Sequence, residues 1–251
     1  MSVETTVRFS PGPEVQQMSP YAYDCFRALV SEQESLPSQN QDLGGKLLYA
    51  GELDEEGCAV VIGGNVAGCA TLCVAADPVA QRKAIHDGIV DFLVTSLDEA
   101  LRILKNEIRK HATVAVCVGK PAGEVEQEML ERGVQPNVTR QHVRSSLKAS
   151  QKEAAASRKV RVFWMLDSTP LASLPKIDAI AQECLDAADT WNARWIRLAP
   201  RFLRRVASYT RVIDADREFA ERFMQRTRSA HQAGEIPVMP SIQVLGFAPV
   251  R

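Results

Sequence analysis

From Lys46 onward, short runs of wholly apolar residues alternate with patterns of helical spacing, and this alternation most narrows what the chain can fold into. Lys46 to Ala50 is a short strand pattern ending at Gly51; Ala70 to Ala75 is a second, stopped by Asp77-Pro78. Ile89 to Thr95 is a third, and Thr113 to Val118 a fourth, running into Gly119. Between the last two, Ser96 with Glu99 forms a capping box, and Leu97, Ala100, Leu101, Leu104 and Ile108 fall on one helical stripe. Glu124 to Arg132 is a further helix, with Val125 and Met129 inward and Gly133 closing it. Strands apolar on both faces and separated by helices imply a parallel sheet covered on both sides. The expectation for residues 45–140 is therefore an α/β, Rossmann-like, doubly wound parallel sheet. Such sheets take ligands at the carboxyl ends of their strands.

The flanks are less regular. Residues 1–18 are polar, with Pro11 and Pro13, and read as an arm; Tyr21, Cys25, Phe26, Leu29 and Val30 then form a helical stripe opened by Ser19-Pro20 as cap and first-turn proline. Glu34 to Asp42 is expected to be a loop, and residues 141–159 an exposed helix. Val160 to Leu166 returns to strand character, with Asp167-Ser168 just past its end. Ile177, Ile180, Ala181, Cys184 and Leu185 make a helical stripe, Phe202 with Val206 and Phe219 with Phe223 suggest two more helices, and Ile236 to Arg251 reads as extended. The division expected is an N-terminal arm and helix (1–44), the Rossmann-like unit (45–140), and a C-terminal α/β extension (141–251) with additional helices packed on the same core.

Composition excludes several classes. With 251 residues, 45% hydrophobic and 24% charged, the chain has the make-up of a globular protein rather than a disordered, fibrous or disulfide-built one. A net charge of −1 gives no general attraction to nucleic acid or to acidic membranes. The stretch Cys58 to Ala76 reaches membrane-spanning length, but Gly63, Gly64, Asn65 and Gly68 interrupt it and mark it as buried core. No secretory pattern opens the sequence, and six cysteines without export signals read as reduced thiols, so a cytoplasmic location is expected.

The order and spacing of several segments resemble the NAD-binding Rossmann-like domain of urocanase (urocanate hydratase). They are Gly45-Lys46-Leu47-Leu48-Tyr49-Ala50-Gly51, then Val66-Ala67-Gly68-Cys69, Val90-Asp91 and Thr95-Ser96-Leu97-Asp98-Glu99-Ala100-Leu101. The series ends with Leu130-Glu131-Arg132-Gly133-Val134-Gln135-Pro136-Asn137, so the resemblance covers about residues 45–140. It implies a domain gripping NAD+, used as an electrophile in adding water to urocanate, through a Gly-Gly-Met-Gly-Gly turn after the first strand. Glycines there let the backbone approach pyrophosphate at a helix N-terminus.

Here that turn is Gly51-Glu52-Leu53-Asp54-Glu55-Glu56-Gly57, with four carboxylates where the phosphates would lie. Their repulsion should offset a helix dipole's attraction of about 2 kcal/mol at most, so NAD+ is disfavoured in the family's pose. The family's acidic residue for the adenosine ribose falls near Ala75, with Asp77 two residues on; its Gly-Asn-Ala aligns with Gly119-Lys120-Pro121-Ala122. Its Gln-Thr-Ser-Ala-His segment has no counterpart after Asn137, and no catalytic residue carries over.

The residues expected to hold a ligand are Gly51, Gly57, Asp77, Gly119, Lys120 and Gly123, at strand ends and helix starts. The acidic loop Glu52–Glu56 lacks the alternation of a calcium loop and reads as a helix-starting turn, so no metal is expected. His86, His111, His142 and His231 are scattered and form no nucleophile motif. Arg194, Arg197, Arg201, Arg204, Arg205 and Arg211 interleave with Trp191, Trp195, Phe202 and Tyr209, but Asp214, Asp216, Glu218 and Glu221 follow and are expected to pair with them between helices. Nucleic acid is thus an unfavoured partner.

These readings point first to a urocanase-like domain that has lost hydratase activity and binds a small ligand or a protein partner at its strand ends. Two alternatives stay open. One is a structural homo-oligomer or complex subunit, with the Arg-rich helices as interface. The other is an NAD-dependent lyase of the urocanase type with an altered cofactor site.

Overall fold

The computed structural model describes residues 13–31, 42–156, 159–166, 173–203 and 209–246. The expected loop at Glu34 onward (save Asp42), Asp167-Ser168, and Arg204, Arg205 and Val206 lie outside these residues, as does the end of the expected extended tail.

A five-stranded parallel sheet forms the first half, in the order β3-β4-β2-β1-β5. Its strands are β1 (Leu47–Glu52), β2 (Ala70–Val74), β3 (Phe92–Val94), β4 (Val114–Val118) and β5 (Val138–Thr139). The connecting helices are α2 (Glu55–Ala67), α3 (Pro78–Asp87), α4 (Leu97–Arg109) and α5 (Ala122–Glu131), while α1 (Pro13–Ser31) precedes the sheet and α6 (Arg140–Ala156) follows it. The fold is the Rossmann-like α/β architecture the sequence predicts.

The two faces of the sheet differ in residue size, and this sets how closely each layer packs. Leu47, Tyr49, Leu72, Val74, Val114, Val116 and Val118 point to α4 and α5 and meet Leu97, Leu101, Leu104, Val125 and Met129. The alternate positions Leu48, Ala50, Cys73, Ala115 and Cys117 are mostly small and lie in the core that contains α1 and α2. There α2 comes very close. A Cβ on Gly64 would stand 2.4 Å from Leu48 Cδ2, and one on Gly63 would stand 2.8 Å from the Phe26 backbone nitrogen of α1. The Gly63-Gly64 pair thus presses one helix against both a strand and a second helix. Helix α2 is buried nearly all round, which is why it has no amphipathic period.

Local signals account for the other boundaries. Ser96 Oγ accepts the Glu99 N–H at 3.3 Å, as the capping box requires, and Asp77 caps α3 through the N–H groups of Val79 and Ala80. The expected helix start at Ser19-Pro20 is corrected: α1 runs through Pro20. Ser19 is fully buried, and its hydroxyl donates to the Thr210 carbonyl instead of capping.

The second half holds a three-stranded antiparallel sheet, ordered β7-β6-β8, of β6 (Val160–Met165), β7 (Thr210–Ala215) and β8 (Ser241–Gly246). Helices α7 (Leu174–Cys184), α8 (Thr190–Leu203) and α9 (Arg217–Gln232) accompany it. One continuous buried cluster joins α1 and α2 to β6, β7, α7, α8 and α9. Tyr23 and Phe26 of α1 pack on Trp195 at ring-centroid distances of 5.2 Å and 5.3 Å.

The aromatics of the Arg-rich stretch therefore serve the core: Trp195 is fully buried and Phe202 is buried, while Tyr209 stays exposed. For Arg194 and Arg211 the expected pairing with the acids that follow is corrected, while Arg204 and Arg205 lie outside the described residues. Arg211 turns to Asp178, Arg194 donates to the Val66 carbonyl, Asp214 takes Arg161, and Asp216 caps α9. Arg211 and Asp214 both stand on strand β7, three positions apart and so on opposite faces of the sheet.

Candidate functional site

The chain runs from β1 outward through β2, then returns from β4 to β5 on the other side of β1. The topological switch point, where parallel sheets open a crevice for ligands, therefore lies between the carboxyl ends of β1 and β5. The six residues expected to bind a ligand all lie at this rim, in two notches and one helix start.

Gly51 and Gly57 share the first notch. Gly51 takes φ +71° where β1 shifts register against β2, a left-handed conformation that favours glycine. Gly57 starts α2 so close to the strand that a Cβ there would stand 1.9 Å from the Glu52 carbonyl oxygen. Both glycines serve the tight strand-to-helix turn that a dinucleotide fold needs.

What fills that turn is the chain's own charge. Asp54 caps α2, accepting the Gly57 N–H at 2.7 Å. Arg140, at the start of α6, donates to both Asp54 carboxylate oxygens at 2.7 and 2.8 Å and to Glu56 Oε2 at 2.7 Å. Its Nη1 reaches the Glu52 carbonyl at 3.2 Å, and its Cδ lies 3.7 Å from where a Cβ on Gly51 would be. Arg144, one turn on, donates Nε and Nη2 to the two oxygens of Glu56 at 2.5 Å. These hydrogen bonds, Arg144's foremost, hold the Glu56 carboxyl down at about 2 against the opposing effect of burial. Burial, with Cys25 and Glu56 nearby, pushes the Tyr21 hydroxyl up to about 12.

The expected bare repulsion of four carboxylates is thus corrected: two arginines compensate Asp54 and Glu56. The crevice is occupied rather than merely acidic. A pyrophosphate seated in the Rossmann manner needs free N–H groups at the start of α2 and open backbone at Gly51. Asp54 holds the Gly57 N–H and Arg140 lies over Gly51, so these residues do not fit that group in that position.

Asp77 and Gly119 share the second notch, between β2 and β4. Asp77 is engaged as the α3 cap. Gln81 donates to the Ala75 carbonyl at 2.7 Å, and its Nε2 stands 3.2 Å from where a Cβ on Gly119 would lie. Gly119 itself donates to the Val94 carbonyl at 2.8 Å. Lys120 lies 3.7 Å from Glu128, and Gly123 sits in the first turn of α5 with open space where a Cβ would project. No group of three or more His, Cys, Asp or Glu side chains is placed to hold a metal among the described residues, and no helix among them is long and apolar enough to cross a membrane.

Beside the filled crevice, on the α5 side of β1, lies an open groove of about 460 Å³. Met129, Leu130, Val134 and Pro136 give it an apolar wall, Thr139, Arg140, Gln141 and Arg144 a polar one. Tyr49 lies between, its hydroxyl donating to Glu126 Oε1 at 3.0 Å.

Arg140, Arg144, Gln81 and the Tyr49–Glu126 pair were not legible as site residues. Arg140 and Arg144 share a helix face by their spacing, but their acidic partners lie more than eighty positions earlier in the sequence. Only the adjacency of β1 and β5 brings them together.

Fold and topology together define a Rossmann-like α/β class of domain whose first strand-to-helix turn is filled by its own ion pairs. More particularly, residues 23–146 match the family model described as the Urocanase Rossmann-like domain. The resemblance read from the sequence holds, and it extends beyond both ends of the 45–140 stretch. Among curated proteins, an S-methyl thiourocanate hydratase from Variovorax sp. (strain JCM 16519 / RA8) is 26% identical over 96 residues, covering 38% of this chain and 18% of that protein. The chain thus matches less than a fifth of that relative's length.

Proposed function

We propose that this chain is a urocanase-type Rossmann domain that has given up NAD+-dependent hydration and acts by binding a small molecule or a protein partner at the carboxyl ends of its parallel strands. The observation that carries this reading is the ion-paired cluster Asp54–Arg140–Glu56–Arg144, set where the cofactor's pyrophosphate would lie. A ligand with two phosphates would have to displace a bidentate and a bifurcated arginine contact before reaching the helix N-terminus. The test is titration of the purified protein with NAD+, followed by calorimetry and native mass spectrometry. The wild type is expected to bind no NAD+ at millimolar concentration, and Asp54→Gly combined with Glu56→Gln to gain measurable affinity. Stoichiometric NAD+ on the wild type would overturn the reading and make the lyase alternative the one to pursue.

A second reading, a homo-oligomeric subunit, has one observation in its favour. Phe92 and Leu93 on the sheet-edge strand β3 are exposed, as are Val79 and Ile85 on the adjacent α3. Exposed apolar edges invite pairing with a second copy. Replacing Phe92 and Leu93 by Lys should then lower the mass measured by light scattering, and an unchanged mass would sink that reading.

A further inference from the structure

The antiparallel sheet ends differently at its two edges. At one edge β7 is buried along its whole length, and side chains from α1 and α8 reach its backbone. The Tyr23 hydroxyl accepts the Asp214 N–H at 2.8 Å, Asn192 Nδ2 donates to the Asp214 carbonyl at 3.0 Å, and Ser19 Oγ donates to the Thr210 carbonyl at 3.4 Å. At the other edge β8 pairs with β6 in unbroken register, from Ser241 opposite Met165 to Gly246 opposite Val160. Among the described residues no further strand, side chain or loop hydrogen-bonds to β8 from its outer side. Gln243, Leu245 and Gly246 are exposed there. Alternate residues of an antiparallel strand turn their N–H and C=O away from the partner, so this edge presents a row of unpaired donors and acceptors.

Open edges are ordinarily guarded by shortness, a charge, a proline or a bulge. The parallel sheet relies on the first of these, since its edge strands β3 and β5 have three and two residues. Ser241-Ile242-Gln243-Val244-Leu245-Gly246 has none of the four: it is six residues long, uncharged, free of proline and regular in its pairing. We infer that β8 is an interaction surface and that its occupant is β8 of a second copy, the two strands running antiparallel about a two-fold axis normal to the sheet. Two sheets of three strands then become one of six. Charge decides for a second copy. Two-fold pairing lays a strand against its own reverse, so charges near its middle would meet their like, and this strand carries none. The axis also keeps the faces in line. Ile242 and Val244, opposite Trp164 and Val162 on the core side, continue the apolar layer of the partner, while Gln243 and Leu245 lie together on the other face. Main-chain hydrogen bonds supply the affinity, as in other strand additions. This surface lies outside residues 23–146, so it belongs to the half of the chain beyond the matched domain and goes beyond the crevice reading above.

The test is light scattering on the full chain over a dilution series, together with amide hydrogen exchange at low micromolar and at several hundred micromolar protein. The wild type is expected to be a dimer at the high concentration and to dissociate on dilution, with exchange in β8 slowing as the dimer forms. Ser241→Lys combined with Gln243→Lys places like charges across the axis and should halve the measured mass at the high concentration. Its thermal midpoint at the low concentration should match the wild type's, and the neutral Gln243→Thr should remain a dimer. A wild type that is monomeric throughout, a dimer that survives the two lysines, or concentration-dependent protection confined to another segment would each overturn the inference. A dimer dissolved by Phe92→Lys and Leu93→Lys with β8 exchange unmoved would overturn it too, in favour of the β3 edge. The NAD+ titration concerns the other half of the molecule and tests the crevice reading separately.

Discussion

The two halves of the molecule handle charge in opposite ways. In the parallel half the core between the sheet and α4 and α5 is apolar, and the ion pairs lie on the helices and at the rim, where Arg140 and Arg144 meet Asp54 and Glu56. In the antiparallel half charge is buried in the structure itself. Arg161 of β6 joins Asp214 of β7 to Asp24 of α1, with all three side chains at most 16% exposed, and Asp178 accepts from both Trp164 and Arg211. Burial pushes the Asp24 carboxyl up even against the pull of Arg161, and does the same to Asp178. Such pairs fix position more than they stabilise, because desolvation offsets most of their attraction. The difference teaches where this chain can change partners. Rim charges are partly open to solvent and can rearrange, while interior charges hold α1 and the antiparallel sheet in a single arrangement.

The sharpest way to break this comparison is Arg161→Leu, which leaves Asp24 and Asp214 without their shared cation. A loss of about 3–5 kcal/mol is expected in urea unfolding; a loss no larger than that of an exposed arginine would mean the interior charges are as replaceable as those at the rim. Next in size, Gly64→Ala forces a methyl against Leu48 Cδ2 and should cost about 1–3 kcal/mol, a pure packing penalty in the parallel half. Ser96→Ala removes the cap of α4 and should cost about 1 kcal/mol by the same measurement.

The smallest effect is electrostatic and lies at the rim. The folded chain holds Glu56 at about 2 against an ordinary 4.5, so the unfolded chain takes up the proton first as pH falls. The stability it confers is fully present above about 4.5 and lost between there and about 2. Since the network is partly open to solvent, its worth is under about 1 kcal/mol. Thermal midpoints followed from pH 6 to pH 2.5 should fall less steeply for Glu56→Gln than for the wild type, and coincident curves would show that the arginines do no stabilising work there.

Much of the parallel half was legible because its strands are pure apolar runs and its helix ends carry Ser96, Asp77 and Gly133 in diagnostic places. Helix α2 was visible only as buried core, since apolar residues on every side leave no period to detect. Strand β5, only two residues long, falls below any pattern. Strand β7 was hidden for the opposite reason: Arg211 and Asp214 are buried charges, and polarity in a sequence suggests a surface. The rim glycines Gly51 and Gly57 were found from their positions, yet the side chains that cover the strand ends, Arg140 and Gln81, gave no local signal. Their role exists only in three dimensions.

The placement of α1 has a consequence for how the chain comes to its native state. Tyr23 donates to Asn192 and receives the Asp214 N–H, and Asp24 waits for Arg161, so α1 is completed by residues made 137 to 191 positions after it. Until α8 exists, Tyr23 and Phe26 lack the rings of Trp191 and Trp195 that they pack on. Contacts this distant along the sequence slow folding, because the loop must close before its ends gain anything. During synthesis this chain should therefore carry an exposed aromatic face until α8 and β7 have been made, a period in which a chaperone is most useful to it.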